Sequence, residues 1–432
     1  MGFVDRIKYL DTPVFHLVLT ALLGLIAYSN TFNAPFLWDE QVYISENPII
    51  RDLSYFTDLS KAEGFEQYSA VKNRYIGYLT FALNYKFGGL DVRGYHVVNI
   101  AIHILNAMLV YFLATLTFKT PFLKDSSIKE KSPLIALFSA LLFVSHPIQT
   151  EAVTYIFQRL ASLMAFFYLL SLVLYIKWRL SSSCHSGLSG ISLKKDSRQA
   201  GATAKRCGFY LLSLLSAVLA MKTKENAFTL PVMIALYEFF FFNGFVKKRT
   251  LYLVPFLLTM LIIPLALIGT DKPIGEIIGG LASLPGGGGE VSRWDYLFTQ
   301  FRVIATYIRL LFLPIDQNID YDYPMYHSFF DVPVMLSFLF QVSLFSLAVY
   351  LLYRSKNKPE LRLISFGILW FFITLSVESS IIPIPMVINE YRVYLPSVGA
   401  LSAIIAGAFL LAIKNKNAFT AVVSCLALIS RQ

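Results

Sequence analysis

Two adjacent carboxylates, Asp39 and Glu40, follow directly after the first apolar stretch of the sequence. They belong to the motif Phe36-Leu37-Trp38-Asp39-Glu40, which lies close to a membrane surface if that stretch crosses a bilayer. A carboxylate in a partly desolvated cleft suits the removal of a proton from an attacking hydroxyl group, as in the transfer of a sugar to that hydroxyl. The alternative is a solvated acid pair in a loop. Asp39 and Glu40 are therefore the candidate catalytic residues.

Basic residues occur in the segments that we assign to the same side of the membrane as this acid pair. A lipid phosphate that leaves during sugar transfer needs cations in a low-dielectric site, and arginine provides the better bidentate grip. The candidate phosphate-binding residues are Arg74, Lys222, Lys224, Arg392 and Arg159. Arg302 and Arg309 are also available on this side. For these two arginines the alternative is anchoring at the lipid headgroups.

Histidines and further acids on this side are candidate supporting residues. They are His96, His146, Glu151, Glu225, Asp320, Asp322 and Glu390. A polar stripe at steps of three and four along one predicted helix favours hydrogen bonds inside a helical bundle. The stripe consists of His96, Asn99, His103 and Asn106. No third ligand at helical spacing joins His146 and Glu151, so a zinc site is not expected.

The composition indicates that membrane-spanning elements position these residues. The chain has 432 residues, of which 56% are hydrophobic and only 15% are charged, and its mean hydropathy is +0.60. Soluble domains have about 25% charged residues, and here the deficit extends along the whole chain. The net charge of +10 lies mainly in segments between apolar runs, so membrane topology explains it better than nucleic-acid binding. We therefore predict a multi-pass membrane protein that contacts the lipid bilayer and no nucleic acid.

The apolar stretches predict an all-α, polytopic transmembrane bundle of about eleven spans. A helix needs roughly 20 apolar residues to cross a bilayer. The candidate spans begin near Val14, Val97, Pro133, Ala161, Phe209, Thr229, Leu251, Val332, Leu363, Pro396 and Ala418. We treat 1–432 as a single transmembrane domain.

The connecting segments alternate in character, and this alternation predicts the orientation. One set is short and basic, and comprises residues 119–131, 177–206, 247–249, 354–362 and 414–416. The other set is longer and more acidic, and comprises residues 30–95, 146–160, 222–228, 270–331 and 378–395. The positive-inside rule places the basic set in the cytoplasm. The N-terminus is then cytoplasmic, and the C-terminus and candidate site are periplasmic or otherwise extracytoplasmic. We expect the chain to reside in the cell inner (cytoplasmic) membrane.

Three connecting segments have individual predictions. Residues 30–95 form the outer loop with the catalytic acids, and residues 180–206, rich in Ser, Gly and Lys, are expected to be a disordered cytoplasmic loop. Within the outer segment 270–331, residues 294–313 are apolar, yet a crossing there would reverse the side of the next basic loop. We predict an amphipathic helix in the outer interface, tethered by glycines 286–289.

The polar residues gather on one side, which favours an enzyme that acts at the outer face. A transporter or lipid-carrier flippase is the alternative, and it would place charges near mid-membrane on several helices. Glu238 is the main acid that interrupts an apolar stretch in this way. A non-catalytic membrane scaffold is a third possibility, and it would tolerate substitution of Asp39.

The chain resembles the C-type glycosyltransferase superfamily, and within it the transmembrane-and-tetratricopeptide-repeat O-mannosyltransferases and their bacterial relatives. The resemblance extends over nearly the whole chain and rests on the order of several short motifs. They are Trp38-Asp39-Glu40, Gly94-Tyr95-His96-Val97-Val98-Asn99, His146-Pro147-Ile148-Gln149-Thr150-Glu151-Ala152-Val153, Thr223-Lys224-Glu225, Asn318-Ile319-Asp320-Tyr321-Asp322-Tyr323-Pro324 and Glu390-Tyr391-Arg392-Val393-Tyr394-Leu395-Pro396.

This resemblance implies about eleven spans, a polyprenyl- or dolichyl-phosphate-linked sugar donor, inversion at the anomeric carbon and no obligatory cofactor or divalent metal. It implies that Asp39 is the base and that Glu40 lies near the acceptor, which is a protein Ser/Thr, a lipid or a glycan. Relatives often have Arg-Pro where this chain has Arg74-Tyr75, and His-Thr-Glu where it has Gln149-Thr150-Glu151. No tetratricopeptide repeats occur in this sequence.

Overall fold

The computed structural model describes residues 12–183, 197–268, 292–384 and 386–414. These residues form an all-helical protein without β-strands. The α-helices are α1 (Pro13–Ala27), α2 (Ser54–Thr57), α3 (Tyr68–Asn73), α4 (Tyr75–Gly88), α5 (Val92–Thr117), α6 (Ser132–Ser145), α7 (Thr150–Thr154), α8 (Arg159–Ser183), α9 (Ser197–Met221), α10 (Leu230–Phe241), α11 (Val246–Thr259), α12 (Ile262–Ile268), α13 (Arg293–Phe312), α14 (Val332–Arg354), α15 (Leu361–Leu375) and α16 (Tyr394–Lys414). Short 3₁₀ or π turns lie at Gln41–Ser45, Ile49–Arg51, Leu59–Ala62, Lys129–Lys131, Pro147–Gln149, Ile156–Gln158, Glu225–Thr229 and Glu390–Val393.

Five helical stretches in the described part are long and apolar enough to cross a membrane, which agrees with a multi-pass membrane protein. They are Val92–Thr117, Ile156–Ser181, Val246–Ala266, Val332–Arg354 and Glu390–Ala412. A sixth would be the pair Lys129–Ser145 and Pro147–Thr154, which bends by 55°. The break in this pair falls at His146-Pro147, where proline removes a backbone donor and disfavours a helical residue before it.

Several of the predicted spans correspond to shorter apolar helices. Helices α1 and α15 have 15 residues each, and α10 has 12. Helix α9 combines a polar, basic first half with an apolar second half. The candidate span near Ala418 lies outside the described residues. The total of about eleven spans therefore stays a prediction.

The bundle is centred on α5, which packs against both α6 and α8. Helices α8 and α9 form one extensive antiparallel pair, and α15 and α16 form another. In the second pair the helices approach at Gly367 and Gly399, because a Cβ atom built on Gly399 would lie 2.5 Å from the Trp370 side chain. Small residues allow close backbone approach between membrane helices, where lipid provides no hydrophobic driving force.

The prediction of disorder across residues 180–206 is wrong at both ends. Helix α8 continues to Ser183, and α9 begins at Ser197. Once an apolar segment has nucleated a helix, each added residue gains a backbone hydrogen bond at little further cost, so the helices continue beyond their apolar parts. Residues 184–196 lie outside the described residues.

The predicted outer loop at residues 30–95 is largely helical and has its own small core. Helices α3 and α4 pack with the start of α5 around Tyr78, Phe81 and Tyr95, and the Phe157 ring stacks on Phe81. This second core is separate from the main core of the bundle. It explains how a region that the sequence classes as a loop can hold side chains in fixed positions.

Helix α13 coincides with the predicted amphipathic segment. Its buried residues recur at steps of three and four, and they face α14 and α16. They are Tyr296, Thr299, Gln300, Val303, Ile304, Tyr307, Leu310 and Leu311. Its placement in the outer interface stays a prediction, and the glycines at 286–289 lie outside the described residues.

Candidate functional site

The two acids of the Trp38-Asp39-Glu40 turn differ in burial. The Glu40 side chain is buried, and its carboxylate accepts hydrogen bonds from the backbone N–H of Leu37 at 2.8 Å and of Phe157 at 3.1 Å. Asp39 is exposed, and its carboxylate has no hydrogen bond or ion pair among the described residues. Trp38 holds a left-handed φ of 42°, which is uncommon for a residue with a large side chain. Asp39 is thus the free carboxylate, and Glu40 is the anchored one.

Burial has a direct consequence for the charge of these acids. Desolvation raises the pKa of Glu40 to about 7, although the amides of Leu37 and Phe157 act in the opposite direction. Desolvation also raises the pKa of Asp39. The buried phenol of Tyr155 lies close enough for the charges of both acids to raise its pKa beyond the effect of burial. A carboxylate with a raised pKa is the better proton acceptor, because basicity rises with pKa.

Arg74 immediately precedes α4 and forms an ion pair with Glu225 from a distant segment. Its Nε donates to both carboxylate oxygens of Glu225, at 2.9 and 3.2 Å. The two segments are also joined by a backbone hydrogen bond of 3.0 Å from Ile76 N–H to the carbonyl of Lys222. Burial alone would favour the neutral acid, and the Arg74 charge outweighs it, so the pKa of Glu225 is lowered. Arg74 and Glu225 are therefore both ionised at neutral pH.

Lys222 lies beside this ion pair, and its ammonium has no hydrogen bond or ion pair among the described residues. The charges of Arg74, Glu225 and Asp39 all act on the buried Tyr78 phenol, whose hydroxyl has no hydrogen-bond partner. Asp39 and Arg74 thus lie near enough to Tyr78 for their charges to act on it, and the backbone bond to Ile76 brings Lys222 to the start of α4. The prediction that the acids and cations of distant loops form one site stays a prediction.

Lys224 occupies a second, more buried position. Its ammonium forms an ion pair of 3.0 Å with Glu378 and lies 4.2 Å from the centre of the Tyr391 ring. Burial would raise the pKa of Glu378, and the charges of Lys224 and Arg392 outweigh it, so this pKa is lowered. One oxygen of Glu378 and the Nε of Arg392 are buried without a hydrogen-bond partner.

Arg392 is buried and binds mostly backbone carbonyls. Its guanidinium donates to Val387 O at 3.1 Å, to Met386 O and to the Tyr296 hydroxyl at 3.5 Å. The next residue towards the N-terminus, Tyr391, donates its backbone N–H to Glu151 at 2.9 Å. Glu151 therefore supports the turn that presents both Tyr391 and Arg392.

Glu390 fixes the segment that follows α13. Its carboxylate accepts hydrogen bonds from Asn318 N–H at 3.1 Å, from the Gln317 side chain and from the Tyr321 hydroxyl. Asp320 and Asp322, predicted as supporting acids, are both exposed. Asp322 lines a separate cavity beside α13, and Asp320 does not.

Arg159 differs from the other candidate cations, because neutral oxygen atoms surround it. It is fully buried and donates to the side-chain oxygens of Asn99 and Asn84, both at 2.6 Å, and to the carbonyl of Tyr95 at 2.9 Å. Its guanidinium lies 4.6 Å from the centre of the Phe81 ring. These contacts join α4, α5 and α8, so Arg159 is placed as an organiser of the second core.

The polar stripe on α5 forms the predicted hydrogen bonds within the bundle. His96 contacts Ala34 O at 3.0 Å, His103 contacts the Tyr394 hydroxyl at 2.8 Å, and Asn106 donates to Ser162 O at 2.8 Å. Asn99 bonds Arg159 and Val153 O. The prediction for this stripe is confirmed.

His146 caps the turn at the break after α6. Its Nδ1 accepts from Ile148 N–H at 3.1 Å, and its Nε2 contacts Leu311 O at 3.1 Å. Among the described residues, no group of three or more His, Cys, Asp or Glu side chains could hold a metal ion.

Glu238, the acid in an apolar stretch, is fully buried between two arginines. Arg179 contacts its carboxylate at 2.7 Å and Arg249 contacts it at 3.1 Å, and the Tyr175 hydroxyl donates at 2.9 Å. These four residues join α8, α10 and α11. Glu238 thus has partners from the protein itself and is not a vacant ion site.

Sequence reasoning did not identify three of the residues that shape the candidate site. The Asp39 charge acts on the buried phenols of Tyr78 and Tyr155, and Glu378 pairs with Lys224. Tyrosine is common throughout this chain, so no spacing distinguished the first two. A lone acid after an apolar stretch was the one available signal for Glu378.

The fold and site define a multi-pass, all-helical membrane protein with acids and cations in its connecting segments. Comparison with known proteins confirms the resemblance to protein O-mannosyltransferases of the transmembrane-and-tetratricopeptide-repeat type. The chain is 31% identical over 231 residues to protein O-mannosyl-transferase tmtc2 of Xenopus laevis, covering 52% of this chain and 24% of that protein. It is 28% identical over 239 residues to human TMTC2, covering 54% and 25%.

A nematode protein is similar to this chain over a shorter stretch. Protein O-mannosyl-transferase F38B6.6 of Caenorhabditis elegans is 29% identical over 170 residues, covering 38% of this chain and 23% of that protein. The chain thus matches about a quarter of the length of these relatives. No family model matches the chain, and no solved structure matches it.

Proposed function

We propose that this protein is an integral-membrane glycosyltransferase that transfers mannose or a similar hexose from a polyprenyl- or dolichyl-phosphate donor to a protein Ser/Thr. The observation that carries the proposal is the free carboxylate of Asp39, whose charge acts together with that of Arg74 on the buried Tyr78 phenol. Lys222 joins Arg74 through the backbone hydrogen bond to Ile76. The names of the relatives, all protein O-mannosyl-transferases, support the reaction class and a protein acceptor.

Asp39 acts as the general base in this proposal. It takes the proton of the acceptor hydroxyl while the hydroxyl oxygen attacks the anomeric carbon of the donor. The bond from that carbon to the phosphate oxygen breaks, and its electron pair leaves with the lipid phosphate. Attack opposite the leaving group inverts the anomeric carbon. The exposure of Asp39 and its lack of competing partners support this role.

Glu40 is a positioning residue in this proposal. Its two backbone hydrogen bonds tie the Trp38-Asp39 turn to the start of α8. Because these amides occupy both of its oxygens, Glu40 is less suited than Asp39 to contact a substrate. This argues against the acceptor contact that the sequence resemblance implied for Glu40.

Arg74 and Lys222 receive the charge of the leaving phosphate. Arg74 retains N–H groups beyond the Nε that binds Glu225, and Lys222 has an uncommitted ammonium. Preorganised cations in a low-dielectric site stabilise a developing negative charge strongly. We propose that these cations serve in place of an obligatory divalent metal or other cofactor. Lys224 and Arg392 are buried and already bind Glu378 and backbone carbonyls respectively, so they are less available to the phosphate.

The proposed topology has about eleven spans with a cytoplasmic N-terminus. The basic connections face the cytoplasm, and Asp39, Arg74 and Lys222 face the opposite side of the cell inner membrane. Helix α13 then lies in the outer interface, where its exposed Trp294 and Phe312 suit the headgroup region. In this orientation we expect a lipid-borne donor to reach these residues from within the bilayer.

The function is tested by transfer from a labelled polyprenyl-phosphate mannose to a Ser/Thr-containing peptide, using protein purified in detergent. General-base catalysis contributes about 10²- to 10⁴-fold, so Asp39→Asn should lower turnover by that factor. The matched control is Glu46→Gln, because Glu46 is an exposed acid in the same segment. Equal turnover of wild type and Asp39→Asn would remove Asp39 from the mechanism. An absence of transfer by wild type with any polyprenyl-phosphate hexose would overturn the reaction class.

A further inference from the structure

A second cavity lies between α13 and the segment that follows it. Its volume is about 540 Å³, which is within the roughly 300–1,000 Å³ typical of small-molecule sites. Its lining includes two arginines, two aspartates and three tyrosines, namely Arg302, Arg309, Asp316, Asp322, Tyr321, Tyr323 and Tyr326. The reaction proposed above uses none of these residues.

The charged groups of this cavity do not neutralise one another. Arg302 and Arg309 form no ion pair with a carboxylate among the described residues, and neither do Asp316 and Asp322. Arg302 donates one long hydrogen bond of 3.4 Å to the Ser337 hydroxyl, and its Nε is buried without a partner. A buried N–H group without an acceptor costs free energy, so a ligand atom that accepts a hydrogen bond there gains affinity.

Hydrogen bonds fix the side chains of Tyr321 and Tyr323, and a further bond fixes the backbone at Tyr326. The Tyr323 hydroxyl bonds to Thr306 at 2.9 Å, and the Tyr321 hydroxyl donates to Glu390. The backbone N–H of Tyr326 donates to Thr299 at 2.9 Å. Aromatic side chains fixed in this way present rigid apolar faces and lose little entropy on binding.

The mixture of charges indicates the chemistry of the ligand. An isolated anion would meet Asp316 and Asp322, and an isolated cation would meet Arg302 and Arg309. A neutral ligand with many hydroxyl groups can donate to the aspartates and accept from the arginines at the same time. Its less polar faces can rest on the tyrosine rings. A sugar combines these properties.

We propose that this cavity binds a sugar unit of the acceptor, so that the acceptor is preferentially a segment that is already glycosylated. This inference rests on the transfer reaction proposed above and names the substrate class of its acceptor side. The lining of the cavity includes none of the residues to which the reaction assigns the base or the leaving phosphate, namely Asp39, Arg74 and Lys222. We therefore place in it a sugar that is not the one being transferred.

The test measures binding to the full chain in detergent by calorimetry, with mannobiose as the probe. Saturable binding is expected, without displacement by inorganic phosphate or ethanolamine. Arg302→Gln and Asp322→Asn should each weaken binding at least tenfold, because each removes a hydrogen bond to a charged group. Asp320→Asn is the matched control, since Asp320 is exposed in the same segment outside the cavity, and it should change affinity less than twofold.

A second arm identifies the source of the sugar. A mannosylated Ser/Thr peptide should bind at least tenfold more tightly than the same peptide without sugar. Polyprenyl-phosphate mannose should not displace mannobiose, and displacement by this donor would overturn the acceptor assignment. Absence of saturable mannobiose binding, or equal affinity of the two peptides, would also overturn it.

Binding and turnover separate this inference from the proposed function. Asp39→Asn should bind mannobiose as wild type does, since Asp39 lies outside the cavity. A wild-type protein that binds mannobiose and transfers nothing contradicts the proposed function alone. A protein that transfers mannose to bare peptide at full rate without binding mannobiose contradicts this inference alone.

Discussion

The carboxylate of Glu40 accepts a hydrogen bond from the backbone N–H of Phe157 at 3.1 Å, across 117 positions of sequence. This contact joins the acid turn after α1 to the start of α8. Together with the bond from Leu37 N–H, it fixes the backbone on both sides of Asp39. The adjacent acid is thereby presented outward with its carboxylate unoccupied.

The raised pKa of Glu40 predicts a pH-dependent stability. Its pKa is about 7 in the folded protein and 4.5 for the unperturbed group, so between these values the folded state binds more protons than the unfolded state. The contribution of Glu40 to the free energy of unfolding is fully present below pH 4.5 and is lost as pH rises through about 7. Glu40→Gln cannot titrate, so its thermal midpoint in detergent should change less between pH 5 and pH 8 than that of wild type. Parallel midpoint curves for the two proteins would contradict this assignment.

Lys222 provides the cleanest test of phosphate binding. Its ammonium has no hydrogen-bond or ion-pair partner among the described residues, so its removal leaves no other group unpaired. Lys222→Gln should therefore leave the thermal midpoint unchanged. The KM for the polyprenyl-phosphate donor should rise about tenfold, which corresponds to about 1.4 kcal/mol. Lys86→Gln is the matched control, because Lys86 is exposed on α4, and its kinetics should equal those of wild type. A normal donor KM in Lys222→Gln would place the phosphate elsewhere.

Arg159 should act on stability and not on the chemistry. Its removal breaks charge-assisted hydrogen bonds to Asn84 and Asn99, so Arg159→Gln should lose on the order of 3 kcal/mol of stability. Unfolding in detergent measures this loss, and turnover per folded molecule should stay close to wild type. The exposed Arg93 also binds an asparagine, Asn33, and Arg93→Gln should cost less than about 0.5 kcal/mol. A stable Arg159→Gln protein with reduced turnover would indicate that Arg159 contacts the substrate.

The close approach of α15 and α16 predicts that alanine substitution at two glycines of α16 will have different effects on stability. Gly399→Ala places a methyl group 2.5 Å from Trp370, and overpacking of this kind costs about 1–3 kcal/mol. Gly407 lies on the same helix, and a Cβ atom there would be 3.7 Å from Ile364, which is an ordinary contact. Thermal unfolding should therefore show a lower midpoint for Gly399→Ala and a nearly unchanged one for Gly407→Ala. Equal midpoints would mean that the two helices can separate at little cost.

Much of the fold follows from local sequence patterns. The polar stripe on α5 was predictable because its spacing of three and four puts all members on one helical face. The disorder predicted for residues 180–206 failed because composition does not reveal how far a packed helix propagates. The interaction of Arg74 with Glu225 was not predictable as a pair, since 151 positions separate them.

The sequence alone determined that this is a multi-pass helical membrane protein with acids and cations in its connecting segments, because runs of apolar residues and the types of side chain between them are local properties. Only the tertiary structure decided which groups are free. Asp39 and Glu40 are adjacent and chemically alike. They differ because the backbone N–H groups of Leu37 and Phe157 bind the carboxylate of Glu40 and not that of Asp39. Arg159 and Lys222 were both predicted to bind phosphate. The guanidinium of Arg159 already donates hydrogen bonds to neutral oxygen atoms of distant helices, whereas the ammonium of Lys222 has no such partner among the described residues. Burial and partner occupancy depend on contacts between remote segments, which no spacing within one segment records.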